Sequence, residues 1–425
     1  MGLLKTGGHQ VTASQSEAEI IVVNTCGFIE SAKQESIDAI LEMAKEKKRG
    51  HCRRLIVAGC LVERYRREIL ESLPEVDAVV GVNDLPRILQ ACGEAGDAAV
   101  PPAYEAREEY LYSDSDPRLL TTPNYTAYVK IAEGCDHPCT FCVIPQMRGR
   151  FRSRPVSSVA REIRRLARSG VKEINLVGQD TTMYGFDFGD RRGLARLIRE
   201  IERIDGIRWV RFLYAYPNNI YSELLDAVRE CSKACRYFDV PLQHASRNIL
   251  KGMRRGGNRG SLTRLIHRIR ERVPGATIRT TMIVGFPGET EEDFQELLGF
   301  VEEVKFDRLG AFTFSDEEHA ASYQLEDKVS EETKRERQER LMRLQSTISR
   351  RINSRLVGVT LPVLVEGVSK ESDMLWQGRT ESQAPDIDGV VYLRDGVTTA
   401  TRPGTIGEVR IEEAHEYDLV GTLVK

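Results

Sequence analysis

The stretch "AYVKIAEGCDHPCTFC", residues 127–142, runs from a β-like apolar segment straight into three cysteines, Cys135, Cys139 and Cys142. No fourth cysteine follows nearby. A structural zinc site takes four ligands, usually as two close pairs. Three thiolates can instead hold a cubane iron–sulfur cluster by three of its irons, leaving the fourth open to a chelating ligand. The alternatives are a zinc knuckle completed by His137, or free thiols. His137 lies between Cys135 and Cys139, too close in the chain to complete a tetrahedron comfortably.

Working outward, "AYVKIAE" is the first of six strand-like runs, each preceding a helical one. The others are "EINLVG", "WVRFLYA", "YFDVPL", "IRTTMIVG" and "LGAFTF". The intervening segments, such as "VSSVAREIRRLARSG", carry apolar stripes at helical spacing. Six βα units predict a partial TIM-type barrel, a (β/α)6 form over 124–330, short of the usual eight. The cysteines follow its first strand, at the face where such barrels carry chemistry.

Upstream, residues 1–104 alternate strand and helix ("EIIVVNTC", "RRLIVAGC", "VDAVVG"), a doubly wound parallel α/β pattern of flavodoxin-like type. Residues 105–123 are polar, acidic and without a period, and read as a linker. Downstream, a charged helix at 331–357 with a narrow Leu341, Leu344, Ile348, Ile352 stripe is expected to act as a connector. Residues 358–425 switch to short β-rich pieces, predicting a small OB-like barrel.

Composition excludes little but bounds the class. Lys and Arg number 61 against 64 Asp and Glu, a net charge of −3, so the whole chain has no pull toward nucleic acid. No apolar run reaches the roughly 18 residues of a membrane span, and "MGLLKTGGHQ" lacks signal-peptide features. The nine cysteines point to metal or redox chemistry in the cytoplasm rather than to disulfides. Cys231 and Cys235 are expected to be core residues one helical turn apart.

C-x3-C-x2-C after the first strand of a six-stranded partial barrel resembles the radical S-adenosylmethionine superfamily. The resemblance implies a [4Fe–4S] cluster on Cys135, Cys139 and Cys142, with S-adenosylmethionine on the open iron. It also implies a cofactor cavity lined by Phe141, Gln179, Gln243 and Gly285, taken from "TFC", "VGQD", "PLQHAS" and "TTMIVGFPGET", with Gln179, Asp180 and Arg154 as catalytic candidates. Glycine and proline at 285–288 are equally well read as turn chemistry.

Cys26 and Cys60 each end a strand, and parallel strand ends share one sheet edge. This resembles the N-terminal domain of methylthiotransferases, where three cysteines hold a second, sulfur-donating [4Fe–4S] cluster; the tail then resembles a TRAM domain. Only two of those three cysteines are present. Cys52 precedes its strand and Cys92 lies in a helix, so neither substitutes. The expectation is a chain that starts at an internal methionine, without an inner strand whose neighbours would be left unpaired.

Within that family the motifs "LVGQDTTMYG" and "FLYAYPN" resemble the type acting on an aspartate of small-subunit ribosomal protein twelve. The reaction implied adds a methylthio group to the aspartate β-carbon. The 358–425 segment carries twelve Asp or Glu against six Lys or Arg, a net of −6, which suits a basic protein better than RNA. The alternatives are a transfer-RNA adenosine methylthiotransferase and a non-catalytic iron–sulfur or RNA-binding protein. A flavodoxin or ferredoxin as electron donor, no membrane partner and a monomeric state complete the expectation.

Overall fold

The computed structural model describes residues 1–93 and 110–424, so part of the 105–123 linker lies outside the described residues. Two compact units result. The first joins Met1–Leu119, Glu133–Arg154 and Ser315–Gln324; the second joins Leu120–Ala132, Pro155–Phe314 and Leu325–Lys425.

The first unit begins with α1 (Gly2–Thr6), β1 (Ile20–Thr25), α2 (Glu30–Arg49), β2 (Arg54–Gly59), α3 (Cys60–Ser72), β3 (Ala78–Val80) and α4 (Ile88–Cys92). The strands form a parallel sheet in the order β1-β2-β3. Leu55 to Ala58 of β2 are buried, as a central parallel strand covered on both faces requires. The expected gap at an inner strand is not seen. β1 and β2 pair directly from Ile20↔Arg54 to Thr25↔Gly59, two β-rich runs satisfying each other's backbone groups. Ile40 and Ala44 of α2 pack on the sheet, while Leu41 beside Ile40 is exposed.

The chain continues through β4 (Thr126–Lys130) and the short β5 (Ala132–Glu133). The cysteine loop, α5 (Ile144–Arg148) and the short β6 (Arg152–Ser153) follow. Then come α6 (Val156–Arg168), β7 (Glu173–Val177), α7 (Gly193–Glu202), β8 (Trp209–Phe212), α8 (Ser222–Glu230) and β9 (Tyr237–Asp239). The barrel part closes with α9 (Arg247–Gly252), α10 (Arg259–Arg272), β10 (Thr277–Val284), α11 (Glu291–Val304) and β11 (Arg308–Thr313). In the second unit β4-β7-β8 and β9-β10-β11 are parallel ladders, and a parallel bridge at Val210↔Ala234 joins them. The six strands therefore lie in chain order, each expected run in its place. Cys231 and Cys235 are buried, but the chain leaves α8 at Cys231, so the helical turn between them does not exist.

Helix α12 (Glu331–Ser354) is more than a solvated connector. Its buried side is largely polar, with Lys334, Arg337, Gln345, Ser349 and Asn353 beside Leu341 and Ile348. Gln345 Nε2 donates to Phe306 O at 2.9 Å and Gln338 Nε2 to Ala311 O at 2.7 Å, which ties the helix to β11 and its approach.

The tail is a closed barrel, β12 (Thr360–Val368), β13 (Trp376–Arg379), β14 (Val391–Asp395), β15 (Ile406–Ala414) and β16 (Leu419–Leu423), in the order β12-β13-β14-β16-β15. Strand β13 has no apolar run and was not expected. It delivers Arg379 to Glu173 of β7, which also pairs with Arg211 of β8 and accepts from Thr126 Oγ1. Arg379 Nη2 reaches Glu173 Oε2 at 2.7 Å and Arg211 Nη1 reaches Oε1 at 2.6 Å, with all three side chains essentially inaccessible. Arg211 also donates to Glu381 O at 2.8 Å, and Tyr237 of β9 donates to Asp388 at 2.7 Å. The end of β13 and the connection to β14 thus supply partners for polar groups of β7, β8 and β9. Among the described residues, no helix is long and apolar enough to cross a membrane.

Candidate functional site

Two groups of the predicted residues fall in the first unit. The cysteine loop is tied to the chain that follows it: Cys135 N donates to Gly149 O at 3.2 Å, Phe151 N to Asp136 Oδ1 at 3.1 Å and Cys142 N to Cys139 O at 3.2 Å. Gly134, at φ +82°, must be glycine, since a Cβ there would sit 2.0 Å from Arg150 O. Cys135 is buried while Cys139, Phe141 and Cys142 are half-buried. A cavity of about 550 Å³ opens beside them, lined by Cys135, Asp136, His137, Pro138, Pro145, Gly149 and Arg150.

Among the described residues no three His, Cys, Asp or Glu side chains stand close enough to share one metal ion. A cubane asks for something else, one thiolate at each of three separate corners. Three cysteines on one pinned loop, beside a cavity, suit that donor set. Arg154 is wholly buried, its guanidinium stacked on the Tyr112 ring at 4.9 Å.

Cys26 and Cys60 converge as their strand ends required. A Cβ on Gly27 would meet Leu61 Cα at 2.9 Å and Cys60 C at 3.1 Å, so the two loops touch backbone to backbone. Arg148, from the helix after Cys142, was not singled out as a link between the two cysteine sets. Its Nη2 donates to Cys60 Sγ at 3.0 Å and its Nη1 to Glu133 Oε1 at 3.2 Å. Burial pushes the Cys60 thiol up and Arg148 opposes it. Cys52 and Cys92 stay away from this edge, Cys52 before β2 and Cys92 at the end of α4.

The remaining predicted residues lie at strand ends of the second unit. Gln179 follows β7, and its Oε1 is buried without a hydrogen-bond partner; the same holds for Gln243 after β9. An unmet buried acceptor costs about 1–3 kcal/mol, so both oxygens are open to a hydrogen-bond donor. Gln243 also sits at φ +73°, a conformation in which a non-glycine residue is strained. Asp180 is structural as well as central: its carboxylate caps the turn at Thr181–Met183 and accepts from Asn219 Nδ2 at 3.1 Å. Gly285, at φ +75°, leaves no room for a side chain, because Lys334 Cγ would be 2.2 Å from its Cβ.

Glu289 escaped the sequence reading, although it stands one residue past "GFPG". It is buried and accepts from Gly285 N at 2.7 Å and from Arg337 Nη1 of α12 at 3.0 Å, with His244 Nε2 at 3.7 Å. Burial pushes its carboxyl up to about 7 against the pull of Arg337 and the backbone amides. Buried His244 is pushed down to about 3 and stays neutral. The folded state therefore keeps a proton on Glu289 that the unfolded chain releases near pH 4.5, and stability falls as pH rises from there to 7. Glu289→Gln should flatten that slope by on the order of 2–3 kcal/mol between pH 5 and pH 8, read from urea midpoints beside wild type. Parallel curves for the two proteins would show that Glu289 ionises freely.

The chain matches the radical SAM superfamily over residues 129–301, an uncharacterized protein family (UPF0004) over 1–81 and the TRAM domain over 357–424. It is similar to the ribosomal protein uS12 methylthiotransferase RimO of Solibacter usitatus, 53% identical over 426 residues covering 100% of this chain and 90% of that protein. The RimO of Koribacter versatilis is 47% identical over 466 residues, covering 100% and 92%. Among solved structures, the radical S-adenosylmethionine methyltransferase TsrM of Kitasatospora setae with cobalamin and a [4Fe–4S] cluster bound superposes with a TM-score of 0.54 at 14% identity. That match covers 85% of this chain and 68% of that one, and shows a shared fold. With the three-cysteine loop, the six parallel strands and the closed terminal barrel in place, the chain belongs to the ribosomal protein uS12 methylthiotransferase family of the radical SAM superfamily.

Proposed function

We propose that this protein adds a methylthio group to the β-carbon of an aspartate in the small-subunit ribosomal protein uS12, replacing a C–H bond by C–S–CH3. The observation that carries the reading is the pinned loop of three cysteines in a chain matched along its whole length by uS12 methylthiotransferases. A [4Fe–4S] cluster carrying S-adenosylmethionine supplies a 5′-deoxyadenosyl radical, the reagent that an unactivated C–H bond demands. Cys135, Cys139 and Cys142 would hold that cluster, and the unmet oxygens of Gln179 and Gln243 would receive donors of the cofactor. Cys26 and Cys60 would hold a second, sulfur-donating cluster, with Arg148 neutralising charge at Cys60. Asp180 keeps the β7 end in shape, and Arg154 stays a candidate for contact with a substrate or cofactor carboxylate. A flavodoxin or ferredoxin would deliver electrons to a monomer in the cytoplasm. The domain scheme of this reading is 1–104, linker 105–123, barrel 124–330, helix 331–357 and TRAM domain 358–425.

The test is mass spectrometry of ribosomal proteins from a deletion strain, with and without this gene. One uS12 aspartate should carry the mass of a methylthio group only when the gene is present, with transfer-RNA nucleosides the same in both. A methylthiolated adenosine that comes and goes with the gene, beside an unchanged uS12, would hand the function to the transfer-RNA alternative.

A further inference from the structure

Three successive strand ends of the second unit carry a left-handed residue: Tyr214 after β8 at φ +59°, Gln243 after β9 at +73° and Gly285 after β10 at +75°. Glycine takes this conformation freely, whereas tyrosine does not. Such strain persists only where the surroundings over-determine it, and it gathers at functional sites. Tyr214 meets that description. Its N–H donates to Asp239 Oδ2 at 2.9 Å, its carbonyl accepts from Thr181 N at 3.1 Å, and Ala215 N donates to Asp239 O at 2.8 Å. Asp239 is itself held by Arg279 Nη1 at 2.7 Å. The β8 end is thus fastened to the β7 and β9 ends, with Gln179 on one side and Gln243 on the other.

All this anchoring presents a side chain that stays partly exposed. Tyr214 is 44% exposed, and its hydroxyl makes no hydrogen bond among the described residues. Its neighbour Tyr216 is buried and donates to Arg255 O at 3.3 Å, as a packed tyrosine should. The backbone bonds to Asp239 and Thr181 place Tyr214 at the strand-end edge of the barrel, with Asp239 and Arg279 as the charged groups that act on it. Burial, with Asp239 adding to it, pushes the phenol up, so it remains an O–H donor across the working range. The Asp180 carboxyl oxygens are already engaged by Thr182 and Asn219.

We propose that Tyr214 orients the target aspartate, its hydroxyl donating a hydrogen bond to the substrate carboxylate at this strand-end edge. The assignment rests on the ribosomal-protein reading above and names the group that grips the reacting side chain.

A double-mutant cycle tests it. Anaerobically reconstituted wild type and Tyr214→Phe are each titrated, by fluorescence anisotropy, with purified uS12 carrying either the native aspartate or asparagine at the target position. A hydrogen bond to a charged group predicts that wild type prefers the aspartate form by about tenfold or more, and that Tyr214→Phe loses this preference. Equal preference in both proteins would overturn the assignment while leaving the substrate in place. A wild type that neither binds nor modifies uS12 would remove the ribosomal-protein reading and the assignment with it. Tyr214→Gly, which relieves the backbone, should melt no lower than wild type; a clearly lowered melting temperature would make the ring structural and overturn the role given to it.

Discussion

Reconstituted Cys139→Ala protein is expected to release no 5′-deoxyadenosine from S-adenosylmethionine under reducing conditions in which wild type does. The loop holds three thiols, and a cubane with one open iron needs all three, so no ligand is spare. The effect should be complete rather than graded. Because Cys139 is half-buried on a loop pinned through Cys135 and Cys142, the apo-protein should keep its melting temperature to within a few degrees. Chromatographic detection of 5′-deoxyadenosine at wild-type rates from this variant would end the radical assignment. Loss of cleavage with a collapsed fold would point to a structural thiol instead.

The second large effect concerns stability. Glu173→Gln should cost about 3–5 kcal/mol, the usual penalty for stripping one partner from a buried ion pair. The change leaves Arg211 and Arg379 facing each other with Glu173's charge gone, while Arg379 keeps the Glu366 carboxylate at 2.7 Å and Gln383 O at 2.9 Å. Burial works against ionised Glu173, but the two guanidiniums win and hold its carboxyl at about 2. The sign follows: its stabilisation is complete above the unfolded value near 4.5 and disappears as pH falls toward 2. Wild type should therefore lose its advantage over Glu173→Gln in acid, which urea titrations at pH 7 and pH 3 would measure. A constant difference between the two proteins at both pH values would mean that charge is not what Glu173 contributes.

The candidate site was legible wherever chemistry and spacing coincide along the chain. Cys135, Cys139 and Cys142 lie within eight residues, and the strand-ending positions of Cys26 and Cys60 dictated a common edge in any parallel sheet. Gln179, Gln243 and Gly285 were found because each follows a strand of the barrel. Glu289 and Tyr214 were not. Their significance comes from burial beside Arg337 in one case and from a strained backbone in the other, and neither property leaves a local signal in composition or period. The link from Arg148 to Cys60 could not be read along the chain, since the two stand 88 residues apart.

The sequence by itself determined the elements and their order. Strand runs of apolar and β-branched residues alternate with helical stripes, and that local periodicity is enough to specify parallel ladders in both units. Three matters were left to the tertiary structure. The pairing of β1 with β2 depends on which strand edges are available, a property of the assembled sheet. The buried face of α12 is polar because Phe306 and Ala311 offer carbonyls there, so an apolar stripe could not reveal it. Strand β13 has little hydrophobic content of its own and forms where its neighbours β12 and β14 can pair with it. It carries Arg379 to Glu173 across 206 residues of chain. A charge pair of that kind stabilises only when both partners are desolvated together, and that condition exists in the folded chain alone.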